Sequence, residues 1–285
     1  MNPLREKCDL CNSQKYTELF KKSDFSIVKC KNCGLVYTLE NLSNDKLMQY
    51  YDKDYYEGKV YTSYENEEAQ RKRYYIQQLL TFENFDNSRK GRILELGSAT
   101  GSFLDCARYF GYEAVGTEKS EYSANVARTK KHEVYTKDID VLVKEGILAK
   151  GSFDAVFMWD VFEHLNYPFQ TLKYVNYVTR NGGLLTINTL NISSPTVKYL
   201  GKEWSHFAPP QHLFYYTLKT MNMYLRKNGY TTLRLRTAGP LFYDDLKDKY
   251  YILKKLFSNQ KIQRITNRLN LGYAQLIIAK KTNEV

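Results

Sequence analysis

Four of the five cysteines form two matched pairs, Cys8-x2-Cys11 and Cys30-x2-Cys33, with 18 residues between them. A two-residue gap lets both sulfurs of one turn face the same ion, and two such pairs can wrap one tetrahedral zinc. Lys29 and Lys31 lower the cost of packing four thiolates, and Gly34 permits a tight turn after the second pair. A zinc held by four sulfurs has no open position, so the expected role is structural. A segment of about 40 residues makes too small a core to fold without such a staple. Cys106 lies in an expected helix and reads as a small core residue.

A second constellation lies in "ILELGSATGSF". An apolar run leads into Glu95-x-Gly97-x-Ala99-x-Gly101 and then into a helical pattern. Such a turn lets a ligand approach the backbone closely and aims helix N–H groups at it. A dinucleotide fingerprint needs glycine at 97, 99 and 102, and Ala99 and Ser102 fail it. Glu118 follows in "VGTEKS", 21 residues after Gly97, where a carboxylate can accept both ribose hydroxyls. These residues point to an adenosine-bearing ligand with a free 2′-hydroxyl.

The chain has four histidines, and two of them, His206 and His212, fall in "WSHFAPPQHLFYYT", braced by Pro209 and Pro210. His164 follows Asp160 and Glu163 in "DVFEHLNYP". An imidazole suits proton removal near neutral pH. His132 precedes a short strand and is expected to be exposed.

Strand and helix patterns must position these groups. From residue 91 onward they alternate: "RILEL", "YEAVGTE", "HEVYT", "FDAVFMW", "LLTINTL", "YTTLRLRT" and "YAQLIIAKK" read as seven strands. The helices between them include "GSFLDCARYFG", "SEYSANVARTKK" with Ser120 as N-cap, "FQTLKYVNYVTRNGG" ended by glycine, and "LKTMNMYLRKNG". This is the signature of a mostly parallel α/β sheet. The histidine-rich stretch then follows the fifth strand, at the carboxyl edge where open α/β sheets bind ligands. Upstream, Tyr74, Tyr75, Leu79 and Phe82 can share one helix face, in a connector expected to cover the next domain's site.

The acid-glycine turn, the second-strand acid and the third-strand "DI" resemble class I S-adenosylmethionine-dependent methyltransferases, over about two thirds of the chain. The resemblance implies an α/β fold with a seven-stranded, mostly parallel, Rossmann-like sheet, its antiparallel last strand at the edge. It implies that Glu95, Gly97, Ala99 and Gly101 line S-adenosyl-L-methionine and that Glu118, beside Lys119, holds the ribose. Asp138 and Ile139 of "TKDID" would flank the adenine, and Trp159 and Asp160 of "MWDVFEHL" the methionine part. The ribbon and Tyr-rich connector are similar to a bacterial group acting in sugar and surface-polysaccharide pathways. In its sugar C-methyltransferases a Glu-His pair followed by aromatics is held to move protons. Here Gln211 stands in place of that glutamate beside His212. Loss of the charged partner favours a hydroxyl acceptor over a carbon one, with His212 as base. His164 is the rival, since quinone-pathway O-methyltransferases have a similar "EH", some with a divalent ion implicated.

The expected organisation is a zinc ribbon over 1–40, a helical connector or cap over 41–90 and a methyltransferase domain over 91–285. The last carries a basic helical insertion at 241–270. Net charge is +11, and the segment from Lys219 to Lys281 carries all of it, with 14 Lys/Arg against 3 acids (14 − 3 = 11). That balance suggests an anionic small-molecule acceptor, a nucleotide sugar being the expected class, with membrane-surface contact a weaker option. The ribbon lacks a dense basic or aromatic stacking array, which counts against nucleic acid and a zinc-ribbon RNA methyltransferase. The intact glycine turn and Glu118 count against a non-catalytic interaction module. No run of about 18 apolar residues is present and the N-terminus lacks a secretory pattern, so a cytoplasmic setting with reduced thiols is expected.

Overall fold

The computed structural model describes residues 4–42, 59–86, 90–238 and 260–285, excepting the side chains of 59–67, 260, 261, 263 and 264. The N-terminal part forms β1 (Tyr16–Lys22), β2 (Phe25–Cys30) and β3 (Val36–Thr38), followed by the long helix α1 (Lys59–Phe82). An alternating series comes next: β4 (Arg92–Leu96), α2 (Ser102–Tyr109), β5 (Glu113–Thr117), α3 (Glu121–Thr129), β6 (Glu133–Tyr135) and α4 (Ile139–Lys144). It continues through β7 (Phe153–Trp159), a 3-10 turn (Phe162–His164), α5 (Pro168–Val178), β8 (Thr179–Leu190) and α6 (Pro195–Leu200). The chain closes with β9 (Phe214–Tyr215), α7 (Leu218–Lys227), β10 (Tyr230–Ala238), α8 (Gln260–Arg268) and β11 (Ala274–Lys281).

The seven expected strands form one sheet, in the order β10-β11-β8-β7-β4-β5-β6. The five strands from β8 to β6 pair in parallel, whereas β11 pairs antiparallel with both β8 and β10. Helices on both faces explain why β4 and β7 are mostly apolar and are buried at every position except Arg92 and Asp154. The expected place of the last strand is corrected: β11 is antiparallel but lies inside the sheet, and β10 is the edge. Burial explains the exchange. Gln275 to Ala279 of β11 are buried in a row, while β10 leaves Thr231, Leu233 and Arg236 exposed and Arg234 half-buried.

Local signals set the helix ends. The Ser120 hydroxyl caps α3 by accepting from the Ser123 N–H. Helix α5 stops at Val178, ahead of the glycines expected to end it. There Thr179 starts β8, its hydroxyl donating to the Val175 carbonyl, while Arg180 pairs with Asp154. The apolar face of α1 forms as expected, with Leu79 and Phe82 buried and Tyr74 and Tyr75 packed on the same core as Phe103, Phe157 and Trp159.

A smaller four-stranded sheet runs β1-β2-β3-β9. Its fourth strand comes from the histidine-rich stretch, which therefore lies on the ribbon. Most of the expected basic insertion, 239–259, and residues 43–58 and 87–89 of the expected connector lie outside the described residues.

Candidate active site

The four paired cysteines converge. Cys8 and Cys33 sulfurs are 3.6 Å apart, Cys11 and Cys30 sulfurs 3.5 Å, and all four lie within 4.8 Å of one another. A tetrahedral zinc with Zn–S bonds of about 2.3 Å needs sulfurs about 3.8 Å apart, so the donor set fits that ion. The two knuckles are built alike. Each second cysteine precedes a left-handed residue, Asn12 (φ 59°) or Gly34 (φ 81°), whose N–H returns to the carbonyl of Cys8 or Cys30. Glycine or asparagine is the residue type that adopts this conformation at least cost. The other cysteine, Cys106, is buried in α2 as expected.

The glycine turn sits between β4 and α2. The N–H groups of Gly97 and Ser98 both donate to the Thr117 carbonyl, at 2.8 and 2.9 Å, which ties the turn to the end of β5. Gly97 has φ +71°, and a Cβ there would meet Val161 Cγ2 at 2.4 Å, so only glycine fits. The same contact places the segment after β7 against the turn. Ala99 is also left-handed, at φ 45°. Glu118 accepts from the Ala99 N–H at 2.9 Å and from the Ser120 N–H at 2.8 Å, so it braces the turn. Burial raises the Glu118 carboxyl. Burial and then the charge of Glu118 push Glu95 well above the usual carboxylate range. Glu95 Oε2, Ser98 Oγ and Trp159 Nε1 are buried without a hydrogen-bond partner among the described residues. Polar atoms orphaned around such a turn fit a polar ligand that satisfies them on binding. Lys119 and Asp138 form an ion pair at 3.0 Å beyond β5 and β6, next to the buried Ile139.

A third group lies at the carboxyl ends of β7 and β8. Asp160 has φ +53°, accepts from Asn188 Nδ2 at 2.6 Å and donates its N–H to the Asn188 carbonyl at 3.1 Å. Tyr74 of α1 donates to Asn188 Oδ1 at 3.4 Å, so the connector helix reaches this edge. Glu163 is buried and accepts from the Thr189 hydroxyl at 2.8 Å. Its carboxylate and ring nitrogens of His164 and His212 lie within 4.8 Å of one another. His164 Nδ1 meets the Gln211 carbonyl at 2.8 Å and His212 Nδ1 the His206 carbonyl at 2.7 Å. A carbonyl only accepts, so each Nδ1 carries the proton and each Nε2 keeps a lone pair.

Burial dominates the titration of this group. It raises Glu163 to about 7, and together with the Glu163 charge it raises Asp160 to about 7. Asp160 as a residue is exposed, and its carboxylate is held by Asn188. Burial, then the nearby His164, drives His212 down to about 3, and burial lowers His164. A near-neutral proton affinity thus sits on the carboxylates, where the sequence suggested the imidazole.

His132 is corrected as well. It is buried, not exposed, with Nε2 at 2.7 Å from Asp105, and burial lowers its pKa. Gly101 opens the space for it, since a Cβ there would meet the His132 ring at 2.9 Å. Asn188 was not singled out from the sequence, whereas Glu163 was read there only as the acid before His164 and Tyr74 only as part of the connector face expected to cover the site. A signal for Asn188 existed: Thr186, Asn188 and Thr189 are polar positions in the otherwise apolar carboxyl part of β8, Leu184 to Leu190.

Comparison with known proteins agrees with this geometry. A family model described as a methyltransferase domain matches residues 67–235. A ubiquinone biosynthesis O-methyltransferase of Roseobacter denitrificans is 28% identical over 139 residues, 43% of this chain and 56% of that one. The chain thus spans little more than half of that relative. A solved S-adenosylmethionine-dependent methyltransferase from Archaeoglobus fulgidus superposes with a TM-score of 0.53 at 17% identity, over 84% of this chain and 100% of that one. One from Thermotoga maritima, described as a possible histamine N-methyltransferase, gives 0.56 at 18% identity, over 83% and 99%. The chain belongs to the methyltransferase-domain family.

Proposed function

We propose that the enzyme methylates a hydroxyl of a small anionic metabolite, with a nucleotide sugar as the acceptor class, in a cytoplasmic pathway. The basic C-terminal third supports the anionic acceptor. S-adenosylmethionine supplies an electrophilic methyl on a sulfonium when bound. Gly97, Ala99 and Gly101 give it backbone access, Glu95 and Glu118 two buried carboxyl groups, and Glu118 with Lys119 the ribose contact. Asp138 and Ile139 border the adenine, while Trp159 and Asp160 border the methionine part. The zinc ribbon holds a structural ion through Cys8, Cys11, Cys30 and Cys33.

The observation that carries the acceptor chemistry is the gathering of ring nitrogens of His164 and His212 and the buried Glu163 carboxylate within 4.8 Å of one another. An imidazole with a pKa of about 3 cannot remove a proton from a carbon acid at a useful rate. A hydroxyl under methylation becomes an oxonium, a very strong acid, whose proton even a weak base takes up readily to leave the methyl ether. His212 accepts that proton, and Glu163, with an affinity near neutrality, is the reservoir for it. Oxygen is thereby preferred over carbon as the methylated atom, and alignment carries most of the rate.

Product mass spectrometry with a panel of nucleotide sugars tests the acceptor. His212→Ala should lower kcat on the accepted sugar without weakening S-adenosylhomocysteine binding, and unchanged kcat rejects the base role. A second reading is favoured by the spacing of Glu163, His164 and His212, a donor set suited to a divalent first-row metal. Calorimetric titration with Mn2+ distinguishes it: binding that Glu163→Gln abolishes supports the metal, and no heat at millimolar Mn2+ rejects it.

A further inference from the structure

The ribbon and the wall that carries His212 are one sheet. β3 and β9 pair antiparallel, Val36 opposite Tyr215 and Tyr37 opposite Phe214. Lys22 of β1 donates to the Trp204 carbonyl at 3.1 Å, and the Phe20 ring meets Phe207 edge-on at 5.0 Å. Ile27 and Val36 of the ribbon share a core with Trp204, Phe207 and Tyr215. The histidine-rich stretch is therefore seated on the ribbon from its first residue to its last strand.

Thr38, the last residue of β3, is fully buried at the seam. Its N–H donates to the Leu213 carbonyl at 2.8 Å and its hydroxyl to the His212 carbonyl at 3.2 Å. The Tyr215 hydroxyl donates to that same His212 carbonyl at 2.9 Å. From the other side the Leu213 N–H donates to the Glu163 carbonyl at 2.9 Å, and the His212 N–H to that of Ala208 at 3.0 Å. Every backbone polar group around the 212–213 peptide is thus held, half of them by the ribbon. The ring's Nδ1–H is bonded to the His206 carbonyl, so the direction of Nε2 is set by that bond together with this backbone grip. Upstream, β3 begins three residues after Cys33, and Cys30 ends β2. The metal-ligating knuckle thereby sets the hairpin from which Thr38 reaches across.

We propose that Thr38 is a positioning residue for His212, which makes the ribbon a working wall of the acceptor site and more than a folding staple. The inference rests on His212 as the proton acceptor. The Thr38 hydroxyl, together with that of Tyr215, fixes the His212 carbonyl, the carbonyl fixes the peptide plane, and the plane with the Nδ1–H bond to His206 fixes where Nε2 points. Replacement by valine keeps the β-branched shape and the backbone N–H and removes the hydroxyl donor alone.

The test is a titration of the full-length, zinc-loaded protein labelled with 15N-histidine, with the His212 signal assigned from its loss in His212→Gln. Wild type is expected to hold His212 neutral as the Nδ1–H tautomer into the acid range. Thr38→Val is expected to move the titration upward by about one unit or more and to mix the tautomers, and Thr38→Ser to restore both. Zinc content and S-adenosylhomocysteine affinity are expected to stay within about twofold, a factor worth less than 0.5 kcal/mol. A Thr38→Val protein with wild-type titration and tautomer overturns the proposal. So does a shift that serine fails to rescue or that comes with zinc loss, because ribbon integrity then explains it. Failure of the base role reads out separately, as unchanged kcat in His212→Ala with the Thr38 effect on the ring intact.

Discussion

Replacing Glu163 by glutamine should make the protein more resistant to alkaline pH while it impairs turnover. Glu163 is 2% exposed, and burial raises its pKa from 4.5 to about 7. A raised carboxyl means that the folded state holds the proton more tightly than the unfolded one. Its stability contribution is therefore fully present below pH 4.5 and is lost as pH rises through about 7. Between pH 5.5 and 8.5 this single group should lower wild-type stability by about 2 kcal/mol, from linkage at 1.36 kcal/mol per unit. Glutamine has no such dependence, and its side-chain oxygen can still accept from Thr189. It also removes the charge that helps to raise Asp160, so the variant should titrate that residue lower. Urea unfolding at both pH values measures the effect. The difference between variant and wild type should move in the variant's favour by about 2 kcal/mol on going to pH 8.5. An equal difference at the two pH values would mean that Glu163 is ionised throughout, and its role as proton reservoir would fall with it.

Other outcomes follow from the same contacts. Gly97→Ala places a Cβ 2.4 Å from Val161 Cγ2 at φ +71°, so calorimetry should show S-adenosylhomocysteine affinity falling by about tenfold or more, from a left-handed cost of about 1–2 kcal/mol plus the clash. Val161→Ala in addition should recover only part, and full recovery would show that the backbone angle is harmless. Trp204→Ala should cost about 3–5 kcal/mol of unfolding free energy, since the ring is fully buried against His206 and Phe207 at 5.1 Å each. Cys30→Ser should leave substoichiometric zinc by elemental analysis and lower the thermal midpoint, whereas a zinc-free wild type of unchanged midpoint contradicts the structural ion.

Much of the sheet was legible because its signals are local. Seven apolar runs, a serine cap at 120 and the glycine turn each act within a few residues. What depends on partners distant in sequence was not. The interior place of β11 follows from pairing with both β8 and β10, a choice that the run "AQLIIAKK" does not carry by itself. β9 is two residues long and exists because β3, more than 170 positions earlier, pairs with it. The four cysteines were readable from spacing alone, since their geometry repeats in both knuckles. His132 was misread because its burial is set by Asp105 on one helix and by the empty side of Gly101. The proton chemistry of His212 was misjudged for a related reason: residue type sets an imidazole near neutrality, and only the packed surroundings show that burial takes it to about 3.

Titration calorimetry with S-adenosylhomocysteine, on wild type and Glu118→Ala, bears on the central claim most directly. Wild type should bind one equivalent per chain, and Glu118→Ala should bind markedly more weakly, because it loses both the proposed ribose contact and the brace on the Ala99 N–H. Absence of binding by wild type at millimolar ligand, or equal affinity in the two proteins, would contradict the cofactor site assigned to this turn.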